Sequence, residues 1–110
     1  MTERSNISYL KDILEAVEKI NRYIKDLDFE NFLKNDLVFD GVVREFEIIG
    51  EATNNIGWEF KDKYPDIPWR DIVDMRNRLI HGYADIDPYV VWKTCQKDLP
   101  ELKNHLERIK

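Results

Sequence analysis

Apolar residues at three- and four-residue steps are the feature that most limits how this chain can fold. One such stripe lies within residues 5–25 and consists of Ile7, Leu10, Ile13, Leu14, Val17, Ile20 and Ile24. This spacing places the apolar side chains on one face of an α-helix. Glycine and proline number four each, too few for the turns of a β-sandwich or barrel of this length. The sequence therefore predicts an all-α fold.

Two further helices are predicted in the first half of the chain. A short one covers residues 29–34, with Asp28 as its N-cap, and a long one covers residues 36–56. Gly41 and Gly50 lie inside the long helix, where each costs about 1 kcal/mol relative to alanine. Because a glycine lets another backbone approach closely, we expect close helix–helix contact here, within the chain or across a dimer.

Prolines and caps divide the second half. Pro65 and Pro68 break the pattern, and a helix is expected to start near residue 68 or 69 and to stop at Gly82. Asp87 is the expected N-cap of a last helix, which Pro100 should kink or restart. The sequence thus predicts a bundle of four to five helices forming a single domain over residues 1–110.

Composition predicts a globular protein, and the cytoplasm is its expected location. Its 110 residues are 43% hydrophobic and 35% charged, which argues against disorder. No apolar run approaches the roughly 18 residues needed to span a membrane, and the N-terminus does not resemble a signal peptide. Cys95 is the single cysteine, which excludes an intrachain disulfide. No group of His, Cys and carboxylates has metal-ligand spacing, so neither a metal nor another cofactor is expected.

The segment from Arg76 to Tyr83 combines the groups that RNA cleavage requires. RNA carries its own nucleophile, the 2′-hydroxyl, so an enzyme needs a base for its proton and a cation for the phosphate. Histidine ordinarily titrates near neutrality, so a residue such as His81 suits the first task, whereas arginines such as Arg76 and Arg78 are permanently charged and suit the second. Asn77 lies four residues before His81, on the same helix face.

Helix geometry separates two of these groups. Arg76 and His81 are five residues apart, or about 140° around an ideal helix. Their cooperation requires a long arginine reach, unwinding near Gly82, or a second copy of the site across a dimer. The net charge of −5 is unusual for a protein that binds a polyanion, so an RNA-binding surface must be local or formed by an oligomer.

Simpler interpretations of the same residues exist. His81 could cap a helix C-terminus, and Arg70 and Arg78 could be solvated partners of Asp71 or Asp74. The tryptophans could stack bases, but their helical spacing among aliphatic residues favours core or dimer contacts. Glu47 and Glu51, four residues apart, could hold a cation, but an exposed acidic face or pairing of Glu47 with Arg44 is favoured.

The segment resembles the Arg-x4-His-x-Tyr signature of HepT-like toxins in the HEPN superfamily. Arg76, His81 and Tyr83 occupy its three positions, and Asn77 matches the polar residue common after the arginine. The resemblance extends over roughly residues 7–108 through segments in the same order, at residues 9–14, 47–52, 64–70, 75–83, 91–92 and 98–100.

This resemblance implies an activity, an oligomeric state and a partner protein. HEPN domains of this kind are homodimeric helical bundles in which two Arg-x4-His segments face a shared cleft and cleave RNA without metal. Arg76 and His81 would then be catalytic, with Asn77, Arg78 and Tyr83 orienting the RNA. A partner nucleotidyltransferase of the MNT type, the antitoxin of a type VII HEPN/MNT toxin–antitoxin system, would neutralise the toxin by AMPylation of Tyr83. The alternative is a non-catalytic helical subunit that holds a nucleotide or substrate for such a nucleotidyltransferase.

Overall fold

The computed structural model describes residues 5–81 and 86–109, with the backbone alone described at Ile80 and His81. In chain order the elements are α1 (Asn6–Ile24), α2 (Phe29–Lys34), α3 (Asp36–Asn55), α4 (Trp58–Asp62), α5 (Trp69–His81), α6 (Pro88–Lys93), a π-helical turn (Thr94–Asp98) and α7 (Leu99–Glu107). No β-strand occurs in these ranges. The predicted all-α bundle is therefore confirmed, whereas the dimer and the single-domain boundaries stay predictions.

Side-chain caps fix where the helices begin. Ser5 accepts a hydrogen bond from the Ser8 N–H at 3.1 Å at the start of α1. The predicted cap Asp28 accepts from the Asn31 N–H at 2.9 Å, and the predicted cap Asp87 accepts from the Tyr89 N–H at 2.9 Å. Each cap satisfies an N–H that has no partner inside its own helix.

The core lies between α1, α3, α5 and the helical unit formed by α6, the π-helical turn and α7. α3 lies against both α1 and α5, and α7 packs on α1. The buried side chains of the core include the predicted apolar positions Leu10, Ile13, Val17, Ile20, Val42, Phe46, Ile49, Leu79, Val91, Leu99, Leu102 and Leu106. In the part of the chain described, no helix is long and apolar enough to cross a membrane.

One local feature differs from the sequence-based prediction, and a second agrees with it. The break before Pro65 contains a short helix, α4, which ends at Asp62 and so avoids the conformational restriction that proline imposes on its neighbour. Pro100 lies in the first turn of α7, directly after the π-helical turn, so the predicted restart of the helix at this proline is confirmed.

The three tryptophans do not share one environment. Trp69 is buried and donates its indole N–H to the Tyr64 carbonyl at 3.1 Å. Trp92 packs its ring 5.0 Å from that of Phe32. Trp58, however, is 68% exposed on α4, so the expectation of a core role is wrong for this residue within the chain. A contact of Trp58 across a dimer stays untested.

Candidate active site on α5

α5 presents one face to the core and the opposite face to the surface. Leu79 is buried, and Ile72 and Met75 pack against the core from the same side. On the surface side, Arg70 is exposed and Asn77 is half-buried. The amphipathic pattern thus holds the polar residues of the motif at the edge of the bundle rather than inside it.

Arg76 is held by the contact between α3 and α5. A Cβ added at Gly50 of α3 would overlap with Cβ and Cγ of Arg76 and would lie 3.2 Å from its Cδ. Only glycine lets the two helices approach this closely, so the close contact predicted for Gly50 is confirmed and lies within one chain. The stem of Arg76 is therefore fixed at its base.

The guanidinium of Arg76 turns towards Asn77. Its Nη1 donates to Oδ1 of Asn77 at 3.1 Å, and the side chain is half-buried. Its Nε is buried and has no hydrogen-bond partner among the described residues. An unpaired buried donor costs about 1–3 kcal/mol, and such groups concentrate at functional sites. Among the described residues, this guanidinium is thus oriented by Asn77 and its Nε has no partner.

The hydrogen bond from Arg76 to Asn77 affects how the arginine can reach the helix face of His81, which lies about 140° away around an ideal helix. α5 is helical through His81, so the backbone does not unwind before that residue. Asn77 precedes His81 by one helical turn, and side chains four apart share a face. By binding Asn77, the arginine head group moves around the helix towards this face. Whether Arg76 reaches His81 within one chain or across a shared dimer cleft stays untested, because the side chain of His81 lies outside the described residues.

Two predicted site residues cannot be placed as side chains. His81 is the last residue of α5, and its backbone alone is described. Tyr83, together with the expected helix stop Gly82, lies outside the described residues. The roles assigned to His81 and Tyr83 remain predictions.

Arg78 lies apart from the Arg76–Asn77 pair. It is exposed and lines a groove of about 560 Å³ between α3, α5 and the last helical unit. The groove has an apolar floor, and its carboxylates are Asp71, Asp74, Asp98 and Glu101. We name it the acidic groove. Arg78 has no carboxylate within 4.0 Å among the described residues, so the simple ion pair considered above is not formed.

A second groove lies between the first half of α5, α4 and the end of α3. It has a volume of about 470 Å³ and is lined by Asn54, Trp58, Lys61, Trp69, Arg70, Val73 and Asp74. We name it the tryptophan groove. Lys61 and Arg70 give it two cations against one carboxylate, in contrast to the acidic balance of the whole chain. The groove is therefore positively charged, although the chain as a whole is acidic.

Comparison with known proteins identifies a family that covers most of the chain. Residues 13–109 match the family model described as ribonuclease HepT-like. The chain is 44% identical over 108 residues to a protein of Thermococcus cleftensis named as a probable ribonuclease HepT, covering 98% of each sequence. It is 38% identical over 107 residues to a Methanocaldococcus jannaschii protein named as a candidate RNase, covering 97% of this chain and 98% of the relative. No solved structure gives a significant match.

The fold and the site define an all-helical protein with an Arg-x4-His segment on one surface helix. The match of residues 13–109 to one family model identifies the protein more narrowly than this general class. The chain belongs to the ribonuclease HepT-like family.

Proposed function

We propose that this protein is a homodimeric, metal-independent endoribonuclease and the toxin component of a type VII HEPN/MNT toxin–antitoxin system. The observation that carries the proposal is the Arg76 guanidinium, bound to Asn77 one helical turn before His81. Family membership adds weight, since relatives over nearly the full length carry ribonuclease names.

The chemistry follows from the groups present. His81 takes the proton of a 2′-hydroxyl as its oxygen attacks the adjacent phosphorus. The new P–O2′ bond forms while the P–O5′ bond breaks, and an acid returns a proton to the 5′ oxygen. Arg76 stabilises the negative charge that builds on the phosphate. The products are a 2′,3′-cyclic phosphate and a 5′-hydroxyl, and no step requires a metal.

A homodimer would complete this scheme. One histidine cannot be base and acid in the same step, whereas two copies of the segment facing one cleft supply both. Asn77 orients Arg76, and Arg78 and Tyr83 are proposed to contact the RNA beside it. Sedimentation at several protein concentrations, measured together with cleavage rates, tests whether activity follows the dimer.

The decisive experiment is cleavage of RNA by purified protein in the presence of EDTA. Arg76→Ala and His81→Ala should each abolish cleavage, and a 2′-deoxy nucleotide at the cleaved position should block it. Arg44→Ala and His105→Ala are matched controls, since Arg44 is an exposed partner of Glu47 and His105 lies on α7. Cleavage that survives both motif variants would refute the proposal.

AMPylation of Tyr83 by an MNT-type nucleotidyltransferase is the proposed off-switch. Tyr83 follows His81 by two residues, so AMP attached there adds a phosphate charge and bulk next to the catalytic base. Co-expression with the nucleotidyltransferase should increase the intact mass by one or more AMP units and should suppress cleavage. Tyr83→Phe should prevent the mass increase, whereas Tyr89→Phe, which alters an exposed tyrosine, should not.

The acidic groove favours a second candidate function, that of a non-catalytic subunit for a nucleotidyltransferase. Its apolar floor and four carboxylates suit a basic, apolar segment of a partner protein better than an RNA phosphate. Stable co-purification with the nucleotidyltransferase, combined with absence of RNA cleavage in protein shown by mass to be free of AMP, would support this candidate over the first.

A further inference from the structure

We propose that the tryptophan groove is a binding site for one unstacked nucleotide of a single-stranded RNA, with the base on Trp58 and the phosphate at Lys61 and Arg70. This proposal rests on the proposed function, because it names the form of the substrate and a contact outside the Arg-x4-His segment.

Trp58 offers an open aromatic face on a fixed support. Its side chain is 68% exposed, although it is among the largest apolar side chains of the protein. α4 is anchored where it begins, since the Gly57 N–H donates to Oδ1 of Asn6 at 3.1 Å. An exposed ring on an anchored helix can stack a base with little loss of conformational freedom.

Lys61 is the second and independent observation. Its side chain is only 7% exposed, yet among the described residues it has neither a hydrogen-bond partner nor a carboxylate within 4.0 Å. Its Nζ lies 4.9 Å from the centre of the Trp58 ring and lines the groove. The stem of Lys61 is buried, whereas its ammonium reaches the groove surface beside the Trp58 ring, where it can receive an anion.

The rest of the groove favours a nucleotide over an apolar ligand. Arg70 adds a second, exposed cation, and Asn54 adds an amide with donors and an acceptor. Asp74 is the single carboxylate of the lining. A phosphate therefore meets net positive charge in this groove, although the chain as a whole would repel it.

The groove and the proposed active site lie along one face of α5. Arg70 and Asn77 are seven residues apart, which is nearly two turns and about 10 Å along the helix axis. Residues seven apart share a helix face, so an RNA strand leaving the groove can follow this face to the Arg76–Asn77 pair. A duplex would not bind in this way, because its bases are stacked on each other and cannot reach the Trp58 ring.

The test uses an uncleavable probe, a single-stranded 2′-O-methyl oligoribonucleotide, whose binding is measured by fluorescence anisotropy. Trp58→Ala and Lys61→Gln should each weaken binding by about tenfold, and Trp58→Phe should restore most of it. Tyr89→Ala and Lys93→Gln are the matched controls. They alter an exposed aromatic–lysine pair on α6, with Nζ 5.7 Å from the ring centre, and should leave binding unchanged.

Kinetics on a cleavable RNA give a second measurement. Since Trp58 does not touch the reacting atoms, its removal should raise KM and leave kcat within about twofold of the wild type. Circular dichroism and thermal unfolding establish that each variant is folded before its binding is compared.

The outcomes separate the two proposals. If the wild type does not bind the probe, or if Trp58→Ala and Lys61→Gln bind it as tightly as the wild type, the groove proposal is overturned whether or not RNA is cleaved. If Trp58→Ala alters self-association of the protein but not its binding of the probe, the groove proposal is also overturned, because Trp58 then contacts a second copy of the chain. Groove-dependent binding without any cleavage of RNA would retain the nucleotide site and reject the ribonuclease.

Discussion

Gly50 on α3 and Arg76 on α5 touch so closely that a side chain at the first would occupy the space of the second. The proposed catalytic arginine is therefore positioned by a residue from another helix that has no functional group of its own. Gly50 is a positioning residue, acting through the geometry of the α3–α5 contact.

Gly50→Ala should impair both stability and cleavage. The added methyl would meet Cβ and Cγ of Arg76, which cannot swing aside as the tip of a long side chain can, so the helices must separate. We expect the free energy of unfolding to fall by about 1–2 kcal/mol, since overpacking costs more than helix propensity returns. Cleavage should fall by roughly 100-fold as Arg76 is displaced. Urea unfolding and cleavage assays measure the two effects.

Gly41→Ala is the control on the same helix. A Cβ there would lie 3.2 Å from Cε2 and 3.3 Å from Cδ2 of the Tyr23 ring, a tight contact that a small ring movement relieves. Its stability should remain within about 1 kcal/mol of the wild type, with normal cleavage. A Gly50→Ala protein as stable and active as Gly41→Ala would contradict the positioning role.

Asn77→Ala should lower kcat with little change in KM. Asn77 accepts the hydrogen bond that turns the Arg76 guanidinium around the helix, so its loss frees the head group rather than removing a charge. A decrease of roughly 10- to 100-fold is expected from misplacement of the phosphate-binding group. Asn104→Ala, at an exposed position on α7, controls for the substitution. An Asn77→Ala enzyme with unchanged kcat would show that Arg76 needs no such partner.

Lys61→Met should stabilise the protein near neutral pH. Burial lowers the pKa of Lys61 below its ordinary value of 10.5, so the charged ammonium destabilises the folded state relative to the unfolded one. Between the lowered pKa and 10.5 the unfolded chain holds more protons, and the stability of the wild type rises with pH. The advantage of Lys61→Met in urea unfolding should therefore be largest at pH 7 and shrink towards pH 10.5. A variant less stable than the wild type at pH 7 would show that the contact with Trp58 outweighs the cost of burial.

Cys95 should resist thiol reagents in the folded protein. Burial raises the pKa of the Cys95 thiol to about 12 from 9.0, so almost no thiolate exists at pH 8. Labelling should be slow under native conditions and fast in urea. Fast labelling of folded protein would contradict the buried position.

The same thiol makes stability depend on alkaline pH. Above pH 9 the unfolded thiol loses its proton, whereas the folded thiol keeps its proton until about pH 12. The folded state then binds more protons, so its stability falls as pH rises, by roughly 1 kcal/mol per pH unit. Cys95→Ala should lack this component. Equal slopes for wild type and variant between pH 9 and 11 would refute it.

Much of the fold could be predicted because local signals agreed. Apolar spacing placed α1, α3 and α5 to within about two residues, and Asp28 and Asp87 had the side chains that helix starts require. Signals of this kind depend on neighbours in sequence. α4 was missed because five residues are too few to show a helical period.

The site was less predictable because its contacts are distant in sequence. The glycine at position 50 indicated a close approach, but nothing in the pattern identified Arg76 as the partner. Lys61 follows Trp58 by three residues, a spacing that puts them on one face, yet no local rule shows that the lysine is buried and the tryptophan exposed. Which of the two side chains is buried depends on how α4 is placed against α3 and α5.

The π-helical turn at Thr94–Asp98 has a consequence for how chain length can vary in this family. Val91, Cys95 and Leu99 are buried at four-residue steps, and an ideal helix would drift by about 40° at each step. The wider turn absorbs that drift, as if one extra residue had been inserted into a regular helix. A homologue one residue shorter at this point can therefore keep the same inward-facing positions on α6 and α7 with an unbroken α-helix.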